Sequence, residues 1–213
     1  MNIRKKVVIA GAGNLGREIY SLLQPLVGKL NIEIAGFIDD TLMPAEKFNE
    51  IYPVPVLGKI AEYVPAENEL ILLAISEPQG KLKVAQGLEE RGATFFSFVH
   101  PTSQVADSAK LGKGIVIFPF CFISTESYLG DFTLMNSHSA AGHDAQVGVA
   151  STVCSHVDLT GFVKLGKCVF VGSHASILPH VEVGDFARIG AGSTVVKRVK
   201  EHTTVYSAPA RTL

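Results

Sequence analysis

The chain has 213 residues, of which 47% are apolar and 18% charged, and a formal net charge of -1. This balance predicts a folded, core-rich protein and offers no electrostatic basis for binding nucleic acid or an anionic membrane. No stretch approaches the roughly 20 apolar residues of a membrane span, and the basic residues before the short run VVIA open into a Gly-rich turn, so a cytoplasmic location is expected.

The first half alternates strand and helix signals. Residues 5–10 read as an apolar, β-branched strand, 14–26 as a helix ended by Pro25 and Gly28, and 33–38 as a strand closing on Asp39 and Asp40. LILLAI at 70–75 is apolar throughout, which predicts a central strand covered on both faces. A helix follows at 78–91, with Pro78 at its start and Gly92 after its end, and a last strand at 93–99. This pattern implies a small Rossmann-like parallel sheet over residues 1–100.

At Val105 the period changes. An apolar residue returns at 105, 111, 117 and every six residues to Val195, sixteen positions in phase. The residue two places earlier is small or β-branched, as at Ser103, Cys121, Ser127, Thr133, Ser139 and Ser151. Neither a helix of 3.6 nor a strand of 2 has this period. A three-sided β-solenoid does: three six-residue faces make an eighteen-residue coil, with the apolar residue pointing inward. Residues 101–213 are therefore a second domain of about five coils with an extended tail. Phe118, Phe120, Phe122 and Phe132 face outward in this scheme. They suit either a buried oligomer interface or packing on the N-terminal domain. Cys121, Cys154 and Cys168 include no CxxC pair and read as small buried residues of a reducing compartment.

Three groups of residues carry candidate chemistry. Gly11-Ala12-Gly13-Asn14-Leu15-Gly16 follows a strand and opens a helix, where backbone amides and the helix dipole suit a phosphate. Asp39, 23 residues beyond Gly16, lies where a ribose-binding acid belongs. Alone this reads as an NAD site, but the domain ends near residue 100, without the second half of a dinucleotide fold. The segment Asn136 to Gly148, NSHSAAGHDAQVG, holds His143 beside Asp144. Imidazole has the pKa of a general base, and a carboxylate next to it favours the imidazolium formed on proton transfer. Adjacent strand residues point to opposite faces, so the pair requires a turn, for which Gly142 is the candidate. Finally His138, His156 and His174 recur every eighteen residues and should stack in successive coils, either as metal ligands or as a polar ladder. No metal is expected.

The order GAGxxG, GFIDD, PVLG, LLAIS, HPTS and hexapeptide block resembles the PglD/NeuD-type sugar acyltransferases of the hexapeptide-repeat superfamily. That resemblance implies a left-handed parallel β-helix, a homotrimer and acetyl-CoA as acyl donor. It implies N-acetylation of a UDP-4-amino-sugar type acceptor, or in other members O-acetylation of sialic acid, within glycan biosynthesis; a non-catalytic ligand-binding relative is the further alternative. It implies His143 as base supported by Asp144, with Asn136 orienting the acceptor. Donor contacts fall on Thr152, Gly161, Ser173 and Ala191, and Thr152 stands where members often have a second His. The resemblance assigns the glycine turn to a nucleotide sugar, with Gly13, Asn14 and Leu15 near the pyrophosphate or sugar and Asp39, Asp40 and Ser76 at the uridine end. Leu15 replaces a common His there, and AIS-Glu77 replaces AIG-Asn/Asp. Lys197 and Arg198 are either contacts for CoA phosphates or solvated charges near the end of the prism.

Overall fold

The computed structural model describes residues 4–41 and 52–208. The chain divides into two compact units, residues 1–76 with 80–97 and residues 77–79 with 98–213.

The first unit is a parallel five-stranded sheet in the order β3-β2-β1-β4-β5. Its strands are β1 (Lys5–Ala10), β2 (Ile32–Ile38), β3 (Val56–Gly58), β4 (Glu69–Leu73) and β5 (Thr94–Phe95). The apolar run of β1 lies between β2 and β4, and Val7 to Ala10 are fully buried. Helix α1 (Asn14–Leu23) buries Ile19, Tyr20 and Leu23 at helical spacing. The helix expected over 14–26 breaks into pieces. Pro25 lies in a 3₁₀ turn, Gln24–Leu26, and a short α2, Val27–Leu30, ends on left-handed Asn31. Proline lacks the N–H that would continue α1 unbroken. Helix α3 spans Pro78–Glu90. Strand β3 is too short for its alternation to show in sequence.

The strand expected over 93–99 divides between the units. Thr94–Phe95 pairs with β4, whereas Phe98–Val99 pairs with Val116–Ile117 as the first rung of the solenoid. Val99 is six residues before Val105, already in the solenoid phase.

The second unit is a three-sided parallel β-helix. Its faces hold seven strands (98–99 to 204–205), six strands (104–105 to 194–195) and five strands (110–111 to 182–183). Two-residue strands pair in strict eighteen-residue register, such as Leu134↔Thr152 and Ala140↔Asp158. The second residue of nearly every pair points inward, and those from Ile117 to Val195 form one continuous core. The residue three places after each inward position has positive φ, from Phe120 at 61° to Phe186 at 59°. A left-handed conformation costs an L-residue roughly 1–2 kcal/mol. The cost is offset because each such corner N–H donates to the preceding coil, as Asp144 does to the Thr125 carbonyl and Phe162 to that of His143. Just after each corner the small inward residues close the hydrogen bonding: Ser103, Ser139 and Ser151 donate their hydroxyls to Phe118, Cys154 and Gly166 carbonyls. This is why those positions are small and often hydroxylated.

Phe118 and Phe132 are buried within the single chain, whereas Phe120 and Phe122 stay about half exposed. The four phenylalanines grouped by sequence thus have two different roles. The tail is described as far as Ala208, and its last residues lie outside the described range.

Candidate active site

Each corner of the prism is a column in which equivalent residues recur every eighteen positions. The corner between the six- and five-stranded faces carries the base candidate. His143 Nδ1 lies 2.9 Å from Asp144 Oδ2, with the side chains 56% and 42% exposed. The turn that allows adjacent residues to meet is made by Asp144 itself, at φ 59°. Gly142, the residue expected to make it, serves close packing instead: a Cβ there would lie 2.7 Å from the Thr160 carbonyl carbon. With the carboxylate ionised and the imidazole neutral, Nδ1 is the donor and Nε2 keeps its lone pair. The imidazole lies edge-on to Phe162, with centroids 5.0 Å apart, above Gly161. A Cβ on Gly161 would come 2.5 Å from His143 Nε2. Gly161, expected at a donor contact, thereby makes the space that the base occupies.

Asn136 lies on a different corner, between the seven- and six-stranded faces, where its Oδ1 accepts the Ser137 N–H at 2.7 Å. Ser173 and Ala191 lie on that corner in later coils. The structure does not bring them to His143 within one chain; the strands of the six-stranded face separate the two columns. Thr152, in the strand Thr152–Val153, is 1% exposed, and its backbone N–H donates to Val169.

The histidines of the Asn136 corner form the predicted stack. Phe120, His138, His156 and His174 succeed one another with centroids 5.0, 4.8 and 4.7 Å apart, and the two imidazole pairs are parallel to within 5°. Their left-handed corner geometry repeats at the spacing of neighbouring strands. Parallel rings do not converge on a common cation, and among the described residues no three His, Cys, Asp or Glu side chains gather to hold a metal. Cys121 is buried, which raises its thiol pKa, so it is poorly suited to act as a thiolate nucleophile.

In the first unit, the C-terminal ends of β1, β2 and β4 gather the glycine turn, Asp39–Asp40 and Ser76. The three glycines differ. Gly11, at φ 109°, packs where a Cβ would lie 2.6 Å from the Ala74 carbonyl oxygen, and a Cβ on Gly16 would strike the Gly11 oxygen. Gly13 meets nothing within 4 Å; with Asn14 it is exposed at the start of α1. Only Gly13 leaves backbone open to a ligand. Asn14 accepts from Arg17 one turn on. Leu15 is partly buried and Ser76 exposed.

Asp39 braces this turn. One carboxylate oxygen accepts the Ala12 N–H at 2.7 Å, and the other takes the Thr41 N–H and hydroxyl. Asp40 accepts the Ala61 N–H at 3.0 Å and borders a cavity of about 420 Å³. Its walls include Ile60, Gly80, Lys83, Gly87 and Arg91. Arg91 is fixed by donating to the Tyr63 and Ile60 carbonyls, both at 2.8 Å. The sequence reading missed Lys83 and Arg91. Their signal was the spacing of Gly80, Lys83, Gly87 and Arg91, one face of α3 and its end. Gly13, Asn14 and Leu15 do not line this cavity, so the nucleotide-site candidates fall into two neighbouring groups.

Known proteins resemble this chain in sequence and fold. The Hexapep family, bacterial transferase hexapeptide (six repeats), matches residues 162–197. The GDP-perosamine N-acetyltransferase of Escherichia coli O157:H7 is 29% identical over 172 residues, covering 79% of this chain and 76% of that protein. PerB from Caulobacter crescentus, solved in complex with CoA and GDP-perosamine, superposes with a TM-score of 0.83 at 24% identity, over 97% of this chain and 96% of that one. The acetyltransferase domain of PglB from Neisseria gonorrhoeae FA1090, in complex with acetyl coenzyme A, gives 0.84 at 22% identity, over 99% and 100%. At those identities the structural likeness is one of fold.

Proposed function

We propose that the chain is a hexapeptide-repeat acyltransferase of the sugar-modifying type, to which it is similar in sequence, and that it moves an acetyl group from acetyl-CoA to the amine of a nucleotide-linked amino sugar. The observation that carries the reading is the His143–Asp144 pair. Asp144 holds Nδ1–H, and Nε2 is left to take a proton from the attacking amine as it adds to the thioester carbonyl. Collapse of the tetrahedral intermediate then expels the CoA thiolate, which recovers a proton. The positive charge on imidazolium is stabilised by the adjacent carboxylate. Acetyl-CoA supplies the activated acyl carbon and the thiol leaving group.

The division of candidates between two corners supports a homotrimer. His143, Asp144 and Gly161 lie on one corner, and Asn136, Ser173 and Ala191 on another. A threefold assembly sets the second corner of one prism beside the first corner of the next, so the donor lies in a groove between chains and Asn136 orients the acceptor from the neighbour. The half-exposed Phe120, Phe122 and Phe162 supply apolar surface for that contact. Thr152 is buried and its backbone N–H donates to Val169, so its side chain offers the donor no exposed contact.

In the first unit, Gly13 and Asn14 at the start of α1 suit the diphosphate. Asp40, Ser76 and the cavity beside α3 suit the nucleoside. Asp39 acts by fixing the glycine turn, and Leu15 offers the sugar an apolar contact. The related E. coli enzyme is named for a GDP-linked amino sugar, so a discriminating panel contains both GDP- and UDP-linked 4-amino sugars, with free sialic acid. Thiol release from acetyl-CoA with one amino sugar supports the reading and identifies the nucleotide of the acceptor. Release with sialic acid alone assigns O-acetylation instead. Acetyl-CoA binding without release from any acceptor favours a ligand-binding relative.

A further inference from the structure

Aromatic rings at the corners of the prism lie flat on one another in successive coils. Phe120 on His138, Phe162 on His180 and Phe186 on His202 stack with interplanar angles of 22°, 5° and 19°. His143 stands one residue before its corner and departs from this pattern. Its ring is turned 90° to that of Phe162, with centroids 5.0 Å apart. The chain itself fixes Phe162 there. The Phe162 N–H donates to the carbonyl of His143 at 3.0 Å, and its left-handed corner, φ 61°, repeats that of Asp144 one coil earlier.

The edge of His143 that meets this ring is identifiable. A Cβ added to Gly161 would lie 2.5 Å from Nε2 and 2.7 Å from Cε1, so the Nε2–Cε1 edge is turned toward the coil that carries Phe162. Nδ1 is held by Asp144. His180, one coil further on, covers the far face of Phe162 at 4.7 Å, which leaves the near face to the base. Phe162 is 41% exposed, so only its rim remains open. The face of a phenyl ring is the negative pole of its quadrupole, and a cation within about 6 Å of the centroid is attracted to it. Neutral imidazole gains little from such a face. The imidazolium formed when Nε2 takes the amine proton gains more. An interaction that grows toward the transition state raises kcat rather than tightening substrate binding.

We infer that Phe162 is a positioning residue of the reaction: its face seats the His143 ring and stabilises the positive charge which that ring acquires, at the edge that Asp144 does not contact. The inference rests on the acetyl-transfer reading above. Asp144 then orients the base through Nδ1, Gly161 leaves the space, Phe162 supplies the charge-stabilising surface and His180 backs it.

Two variants separate the aromatic face from mere bulk. Phe162→Leu keeps an apolar side chain and removes the face, whereas Phe162→Tyr keeps the face. Thiol release is measured with acetyl-CoA and GDP- or UDP-linked 4-amino sugars. Phe162→Leu lowers kcat about fivefold, the scale of an exposed cation–π contact, with KM for acetyl-CoA within about twofold of wild type. Phe162→Tyr recovers most of that kcat. Carbon–proton NMR correlation spectra, with His143→Gln identifying the His143 signal, place its Cε1 proton upfield in wild type and Phe162→Tyr, and further downfield in Phe162→Leu. Circular dichroism melting confirms the fold of each variant. Equal kcat in wild type and Phe162→Leu, or a fall that Phe162→Tyr shares, overturns the role and leaves the acetyl-transfer reading standing. A Cε1 proton that does not move between wild type and Phe162→Leu overturns the contact itself. A wild type that releases no thiol with any acceptor, its Cε1 proton still upfield, overturns the acetyl-transfer reading and the kinetic role of Phe162 with it.

Discussion

In the solenoid, a side chain's place is fixed by counting; in the N-terminal unit, it is fixed by one tight turn. His143, Phe162 and His180 reach the same edge because each lies at a fixed phase of an eighteen-residue repeat whose corners are all built alike. The glycine turn has no such repeat behind it. It depends on Gly11 and Gly16 touching backbone where no Cβ fits, and on Asp39 holding the Ala12 amide. Repetition produces columns, suited to a long donor. A single tight turn produces a point, suited to a diphosphate.

The difference predicts unequal tolerance. The largest effect belongs to the inward column of the solenoid: Leu159→Ala, fully buried, costs about 2–5 kcal/mol in denaturant unfolding. Gln146→Ala on an outward position stays within roughly 0.5 kcal/mol. Equal losses at the two sites would break the counting rule.

In the glycine turn the contrast lies between neighbours. Gly16→Ala drives a Cβ into the Gly11 oxygen and destabilises the first unit by roughly 1–3 kcal/mol. Gly13→Ala leaves the melting temperature within about 2 °C of wild type, a stability change of a few tenths of a kcal/mol, and raises KM for the nucleotide sugar. A Gly13 variant with unchanged KM would remove that residue from the ligand site. A last contrast joins both themes. Gly161→Ala pushes the His143 ring from its seat and lowers kcat roughly tenfold, since a displacement of about 1 Å can cost still more, while denaturant midpoints change little. An unchanged kcat would show that the ring position is uncritical.

The same contrast explains what the sequence made legible. The solenoid was readable because sixteen positions kept phase, and the histidine stack followed from the same count. Its beginning was hidden because Phe98–Val99 continues an apolar stretch that also reads as a sheet strand. Periodicity could not show that Asp144, rather than Gly142, makes the turn: left-handed corners occur here at Phe, His, Cys and Ala as well as Asp, so residue type gives no cue. Nor does a linear motif show that Asn136 and His143 lie on different corners. In the first unit, the order of glycines was visible, but not that two of the three are spent on backbone packing. Lys83 and Arg91 went unnoticed because a wall made from one helix face has no motif.

The central claim is that His143 is the base of an acetyl transfer. The most direct test is thiol release from saturating acetyl-CoA and a nucleotide-linked 4-amino sugar, for wild type and for His143→Ala. The account predicts release by the wild type and a fall in kcat of at least about a hundredfold in the variant, with CoA affinity retained. Wild-type turnover in His143→Ala would contradict it.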